Sequence, residues 1–353
     1  MKKHEYQSHN IVSILLRTIA VIVIVLVFAF ELYSCVVQKE GDSPLPPLFG
    51  NFQANRSILE NVRNEGDFSF AVVGDTKSVG TFEKIVTELR NVPLDFAVLL
   101  GDCSYGGTED DHRYFRAEAW DEYAMPFPVF YVVGNHDVSP HGFPIKRFEE
   151  VYGPSVFSFE YRKCLFIVLR ILNDPFTNED SLKFLAQFRN VDLSKYLHTF
   201  VFMHIPPPVS PTFEARTFPE SKPLLKLFDD LGIDYVFAGD FHGYAQSKKA
   251  KTTYIITGGG GAHLSTRMKN QFHHATVVHV TPKSVDTRII FVPPVYDLED
   301  RLEKLAITKM WPLMKRNIVL TVLLNIFGIF CVVLLVWQLR RLMKKRKPKT
   351  GTV

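Results

Sequence analysis

The sequence predicts an α/β domain whose sheets are covered on both faces, with a long apolar helix near each end of the chain. Three observations carry this. Short apolar runs alternate with segments of helical spacing through the middle of the chain, the pattern of strands buried on both sides. Polar residues suited to chemistry stand where those runs end, at the sheet edge where α/β folds bind ligands. The apolar excess, 46% of 353 residues with a mean hydropathy of +0.04, is concentrated in residues 11–30 and 318–337.

Taken in order, residues 11–33 read as a transmembrane signal anchor after a short cytoplasmic stretch, 1–10. Arg17 interrupts the apolar run and can snorkel to the cytoplasmic interface. Residues 18–30 would also suit the core of a cleaved signal peptide. A third reading is a lipoprotein-like cleavage site at Leu32-Tyr33-Ser34-Cys35, where Tyr33 fits poorly. All three deliver the following domain to the outer side. Residues 34–60 contain the Pro/Gly-rich GDSPLPPLFG and read as a linker.

Within the domain expected at 61–300, strands are predicted at 68–73, 96–100, 129–133, 165–169, 200–203, 235–238, 254–257, 276–280 and 288–291. Helices are predicted at 82–90, 109–123 and 145–152. A juxtamembrane segment (301–316) leads into a transmembrane helix expected at 317–338, whose apolar run 318–337 is broken only by Thr321, Asn325 and Gly328. It is long enough to cross a hydrocarbon core of about 30 Å. Arg340, Arg341, Lys344, Lys345, Arg346 and Lys347 follow in a tail (339–353) whose charge marks it as cytoplasmic.

These basic ends outweigh the net charge of +4, so the middle is mildly acidic and carries no nucleic-acid footprint. A lipid bilayer is the partner the ends imply. The four cysteines form no disulfide framework, and Cys103 and Cys164 read as small buried residues. Asn55-Arg56-Ser57 is a glycosylation acceptor pattern in a eukaryotic secretory setting. No pattern specifies an oligomeric state.

Gly74-Asp75, Gly101-Asp102, Gly134-Asn135, His204 and Gly239-Asp240 close successive apolar runs. One such ending is commonplace, but all of them on one sheet edge would converge. Asp, Asn, His and Tyr, with no thiolate, suit Mn, Fe, Zn or similar ions rather than a structural zinc site. A carboxylate shared by two cations about 3.5–4 Å apart lets the pair polarise a phosphoryl oxygen and generate hydroxide near neutral pH.

The segments VVGDTK, LLGDCSY, VVGNHD, VFMHIPPP and FAGDFHG, in that order between Phe68 and Gln246, resemble the calcineurin-like metallophosphoesterase superfamily. The resemblance implies an α/β fold of two sheets packed as a β-sandwich and flanked by helices. It implies hydrolysis of a phosphate mono- or diester substrate with two metal ions as cofactors. It places Asp75 and His242 on the first metal, Asn135 and His204 on the second, and Asp102 between them. His136 would act as proton donor or charge stabiliser at the leaving group, with Asp137 orienting its ring.

Two positions depart from the pattern. Lys77 stands where many members have a histidine, and an ammonium cannot ligate a metal. It is expected either to offset the carboxylate at position 240 or to hold a substrate phosphate as a point charge. Tyr105, three residues after Asp102, matches the GDxxY pattern of purple acid phosphatases and would complete the first metal's shell as a phenolate. Asp240 replaces the first histidine of the last motif and is expected to ligate through its carboxylate. The alternative these departures motivate is a degenerate relative that binds phosphorylated ligands without turnover. His141 and His263 read as loop histidines, and Gly258–Gly261 as a turn allowing close backbone approach.

Overall fold

The computed structural model describes residues 2–62, 66–77, 79–209, 218–264 and 269–344. The basic positions 345–349 and part of the loop following His204, residues 210–217, lie outside them. Glu40–Arg301 forms one compact unit, and the flanking residues form a second.

In chain order the elements begin with α1 (Lys2–Val37), α2 (Gln53–Glu60), β1 (Phe68–Val73), α3 (Thr81–Arg90), β2 (Phe96–Leu99), α4 (Glu109–Asp121) and β3 (Val129–Tyr131). Next are α5 (Ile145–Tyr152), β4 (Phe157–Tyr161), β5 (Cys164–Val168), α6 (Glu179–Ala186), β6 (His198–Met203) and α7 (Ser221–Leu231). Then follow β7 (Tyr235–Ala238), β8 (Tyr244–Lys249), β9 (Thr252–Thr257), β10 (His274–Val280) and β11 (Val285–Phe291). The chain closes with α8 (Leu298–Leu305), α9 (Trp311–Arg316) and α10 (Ile318–Lys344).

The strands form two mixed sheets, ordered β11-β10-β1-β2-β3 and β4-β5-β6-β7-β9-β8. Strands β1, β2 and β3 are mutually parallel, as are β5, β6, β7 and β9; the other pairings are antiparallel. The period of two along each strand divides its side chains between two cores. Phe70, Val72, Phe96 and Val98 of one sheet meet Phe166, Phe200, Phe202 and Phe237 of the other. The rings interlock edge to face, with Phe70 and Phe166 centroids 5.7 Å apart at 87°. The alternate residues Ala71, Val73, Ala97 and Leu99 face outward onto Phe82, Ile85, Val86 and Leu89 of α3, whose spacing makes one helical stripe. Leu224, Leu225, Leu227 and Phe228 of α7 cover the second sheet in the same way. Each fully buried Phe or Leu contributes about 1.5–3 kcal/mol, so both layers are held firmly behind the loops.

Several elements are absent from the sequence reading. β8 (YAQSKK) is a polar edge strand paired only with β9, and β4 alternates buried and exposed residues with Glu160 outward. Helices α2, α6 and α7 likewise form where the sequence predicts none. The segment 34–60 is more than a linker. Phe49 enters the core and bridges Val129, while Asn51 bonds the backbone of Tyr131 from both ends of its amide.

Both α1 and α10 contain stretches long and apolar enough to cross a membrane, at Val12–Asp42 and Ile318–Arg341. The first window runs past the end of α1 into the following turn.

Candidate metal centre

The loops after β1, β2, β3, β6 and β7 carry the expected residues to one edge of the two sheets. Asp75, Asp102 and Asp240 all adopt the left-handed backbone region, with φ of 59°, 55° and 63°. That region costs a side-chain-bearing residue of order 1 kcal/mol or more, least for Asp and Asn. The neighbouring parallel strands β1 and β2 and, in the other sheet, β7 each end in this sharp turn.

Asp75 and Asp102 are buried, and their oxygens lie with a His204 ring nitrogen within 4.8 Å of one another. Asp75 Oδ2 accepts the Asp240 backbone N–H at 2.9 Å, and Asp75 Oδ1 is sealed from solvent without a hydrogen bond. His242 Nε2 faces that oxygen at 3.4 Å. Asp102 Oδ1 accepts the His136 N–H at 2.9 Å and has His204 Nε2 at 3.3 Å. Its Oδ2 lies 2.6 Å from Lys77 Nζ.

The histidine tautomers follow from their partners, because a carbonyl only accepts. His204 Nδ1–H donates to Leu100 O at 2.7 Å, and His242 Nδ1–H to His263 O at 2.6 Å. Both rings therefore present Nε2 to the site. Around His204 Nε2 stand Asn135 Oδ1 at 2.9 Å, Asp102 Oδ1 at 3.3 Å and Asp240 Oδ1 at 3.8 Å. A ring nitrogen facing that many oxygens either holds a proton or shares a cation with them. The residues fit a metal. The donors are oxygen and imidazole nitrogen, each imidazole is fixed by a backbone carbonyl, and one buried carboxylate oxygen lacks a donor.

The electrostatics agree. Burial raises the Asp102 carboxyl, but His204, Lys77 and His136 together bring it down to about 2. Burial lowers the His204 and His242 imidazoles, and the surrounding carboxylates, Asp102 foremost for His204 and Asp75 for His242, raise both above the usual value. Glycine opens the space. A Cβ on Gly239 would stand 2.8 Å from Asp75 Oδ2, and one on Gly258 would stand 2.5 Å from it. This matches the reading of Gly258–Gly261 as close backbone approach.

The remaining expected residues are Asp137, His136, Tyr105 and Lys77. Asp137 does not contact the His136 ring among these bonds. Its Oδ2 accepts the N–H groups of Gly134 and Asp102, and its Oδ1 those of Cys103 and Ser104. It ties the β2 loop to the β3 loop. Burial and the Asp102 charge raise its carboxyl. His136 is half-exposed, and its Nδ1–H donates to Tyr105 O at 3.1 Å. Its Nε2 comes within 4.0 Å of Asp102 Oδ2. Tyr105 is 48% exposed; burial raises its phenol, and the charges acting on it are those of Arg301 and Glu83. Lys77 is partly buried, its ammonium turned onto Asp102. The Leu100 and His263 carbonyls went unread, because a backbone acceptor has no sequence signature.

A family model, calcineurin-like phosphoesterase, matches residues 68–244. No curated protein matches the sequence. Among solved structures, a purple acid phosphatase from yellow lupin (Lupinus luteus) is similar at 15% identity and a TM-score of 0.50, covering 68% of this chain and 56% of its own. The GAP50 anchor in the inner membrane complex of Plasmodium is 13% identical with a TM-score of 0.47, covering 70% and 96%. A dimetal phosphatase from Danio rerio is 14% identical with a TM-score of 0.44, covering 65% and 98%. With the matched segment spanning half the chain and every motif closing its strand on one sheet edge, this protein belongs to the calcineurin-like phosphoesterase family.

Proposed function

We propose that this protein is a membrane-anchored, metal-dependent phosphoesterase that hydrolyses a phosphate mono- or diester, its domain facing away from the cytoplasm. The observation that carries the reading is His204 Nε2 set among Asn135 Oδ1, Asp102 Oδ1 and Asp240 Oδ1, its Nδ1–H committed to a backbone carbonyl. Asp75 and His242 would hold a first ion, Asn135, His204 and Asp240 a second, and Asp102 would bridge them. Tyr105 is proposed to complete the first shell. Such ions, Mn, Fe, Zn or similar, supply charge that polarises the phosphoryl group and acidifies a water.

The chain's own residues do the rest. Leu100 O and His263 O hold the imidazoles edge-on to the site. Asp137 fixes the β2 and β3 loops so that the Asp102 carboxylate and the His136 N–H keep their register. His136, half-exposed with its Nδ1–H held by Tyr105 O, would meet a leaving-group oxygen through Nε2 and, when the ring carries both protons, give it one. Lys77 would meet the phosphate as a point charge once Asp102 is engaged by cations.

One observation favours the reading without turnover: the Lys77 ammonium already neutralises the expected bridging carboxylate at 2.6 Å. Metal analysis of the purified full chain beside turnover of aryl phosphate mono- and diesters separates the two. Hydrolysis that needs bound metal and is lost in Asp102→Asn supports the enzyme. Intact metal content with phosphate binding and no turnover supports the alternative. Reporter fusions at Gly50 and after Lys349 should fall in opposite compartments; the same compartment for both would overturn the topology.

A further inference from the structure

A second group of carboxylates lies outside that centre. Glu83 of α3, Glu118 of α4 and Asp300 in the first turn of α8 each bring an oxygen within 4.8 Å of the others. Glu83 and Glu118 are only 9% and 3% exposed, and Asp300 is half-buried. Buried carboxylates without compensation are costly, so such a trio calls for a counter-charge or protons.

Glu83 shows which oxygen is short of a partner. Its Oε1 accepts the Tyr123 hydroxyl at 3.2 Å, while Oε2 is sealed from solvent and accepts nothing. The charges acting on its carboxyl and on that of Asp300 are acidic: Asp300 on Glu83, and Asp297, Glu122 and Glu299 on Asp300. Neither residue appears in an ion pair among the described residues. Burial, with Asp300 adding to it, lifts Glu83 to about 7 against the lowering pull of the Glu83 and Gly80 N–H groups and the Tyr123 hydroxyl, and burial with its acidic neighbours lifts Asp300 to about 6. The site resists being charged and empty.

We propose that Glu83, Glu118 and Asp300 form a binding site for a hard divalent cation, calcium in particular, separate from the phosphoesterase centre. The donors are carboxylate oxygens with tyrosine hydroxyls beside them and no nitrogen or sulfur, the set that hard cations take. The three ligands come from three helices, so a bound ion would pin the first turn of α8 to α3 and α4. That turn begins the stretch that runs on in sequence to α10. The inference does not depend on the proposed activity, since none of its ligands belongs to the centre formed by Asp75, Asp102 and His204.

Terbium tests it, because Tyr114 and Tyr123 stand beside the cluster and can sensitise its emission. The full chain in detergent, stripped of metals, should show saturable tyrosine-sensitised emission that calcium displaces. Glu83→Gln and Asp300→Asn should each weaken terbium and calcium binding at least tenfold. Asp102→Asn, which disables the other centre, should leave this emission in place. Calcium should also raise the Tm of wild type and not that of Asp300→Asn. Emission abolished by Asp102→Asn but kept in Asp300→Asn overturns the proposal. So does a wild type whose stability follows pH alone and ignores calcium, which would make the trio a proton-sharing cluster. Should Glu83→Gln fail to fold, the half-buried Asp300→Asn decides.

Discussion

The Lys77 ammonium lies 2.6 Å from Asp102 Oδ2, on the carboxylate expected to join two metal ions. At that distance a lysine and a cation compete for the same oxygen, and their mutual repulsion at an effective dielectric of about 20 reaches a few kcal/mol. Asp240 brings a carboxylate within 3.8 Å of His204 Nε2, so the two departures from the family's motifs carry opposite charges.

Removing the ammonium should therefore leave metal content at or above the wild-type level. Lys77→Met is expected to keep its bound metal while inhibition by inorganic phosphate weakens about tenfold, the worth of one charge contact of about 1.4 kcal/mol. Elemental analysis and a phosphate inhibition constant check the two halves. A fall in metal content would instead make Lys77 a supporting element of the centre.

Tyr105→Phe should lower occupancy of the first site, since the phenolate is the proposed last donor. With ferric iron bound, wild type should show a visible tyrosinate band that the variant lacks. Full metal content in Tyr105→Phe together with a colourless ferric wild type would leave the phenol as a wall residue under Arg301 and Glu83.

Asp137 should prove to be a folding residue before anything else. Its carboxylate accepts four backbone N–H groups from two loops, fully buried. Losing them strands several buried donors, each worth about 1–3 kcal/mol. Asp137→Ala is expected to lose about 3 kcal/mol or more of stability, read by thermal or denaturant unfolding, together with activity. Unchanged stability with a shifted pH profile would return it to the role of orienting His136.

His112 of α4, bonded to the Asp137 carbonyl, supplies a pH signature. It is buried, stacked on Phe143, with Nε2–H donating to Asp137 O at 2.6 Å and Nδ1 facing Tyr152 OH at 2.8 Å. Burial pushes its imidazole down to about 3. Between that value and the usual 6.5 the unfolded chain binds the extra proton, so stability is full above pH 6.5 and falls as pH drops toward 3. One such group contributes a slope of about 1.4 kcal/mol per pH unit. His112→Gln should lower stability at pH 7 and flatten that slope. An unaltered slope would mean that other groups govern acid unfolding.

Much of this molecule was legible in its sequence because strand burial and strand endings are local. Phe68–Val73 and Tyr235–Ala238 are near-continuous apolar runs, and Gly-Asp or Gly-Asn after such runs marks the sheet edge. The candidates Asp75, Asp102, Asn135, His204 and His242 could be named from order and type alone. Apolar runs long enough to span a bilayer are equally a matter of counting.

Tertiary structure alone decided what each carboxylate is for. Asp102 of LLGDCSY and Asp137 of VVGNHD both follow apolar strands, yet one oxygen pair faces imidazoles and an ammonium while the other is consumed by backbone N–H groups. Sequence cannot separate them, because the partners are main-chain N–H groups of Gly134, Cys103 and Ser104 for Asp137 and the side chains of Lys77 and His204 for Asp102, brought together by the fold. The Glu83, Glu118 and Asp300 cluster was invisible for the same reason. Its members lie on three helices far apart in the chain, and only their shared burial against one another turns ordinary surface-type residues into a site.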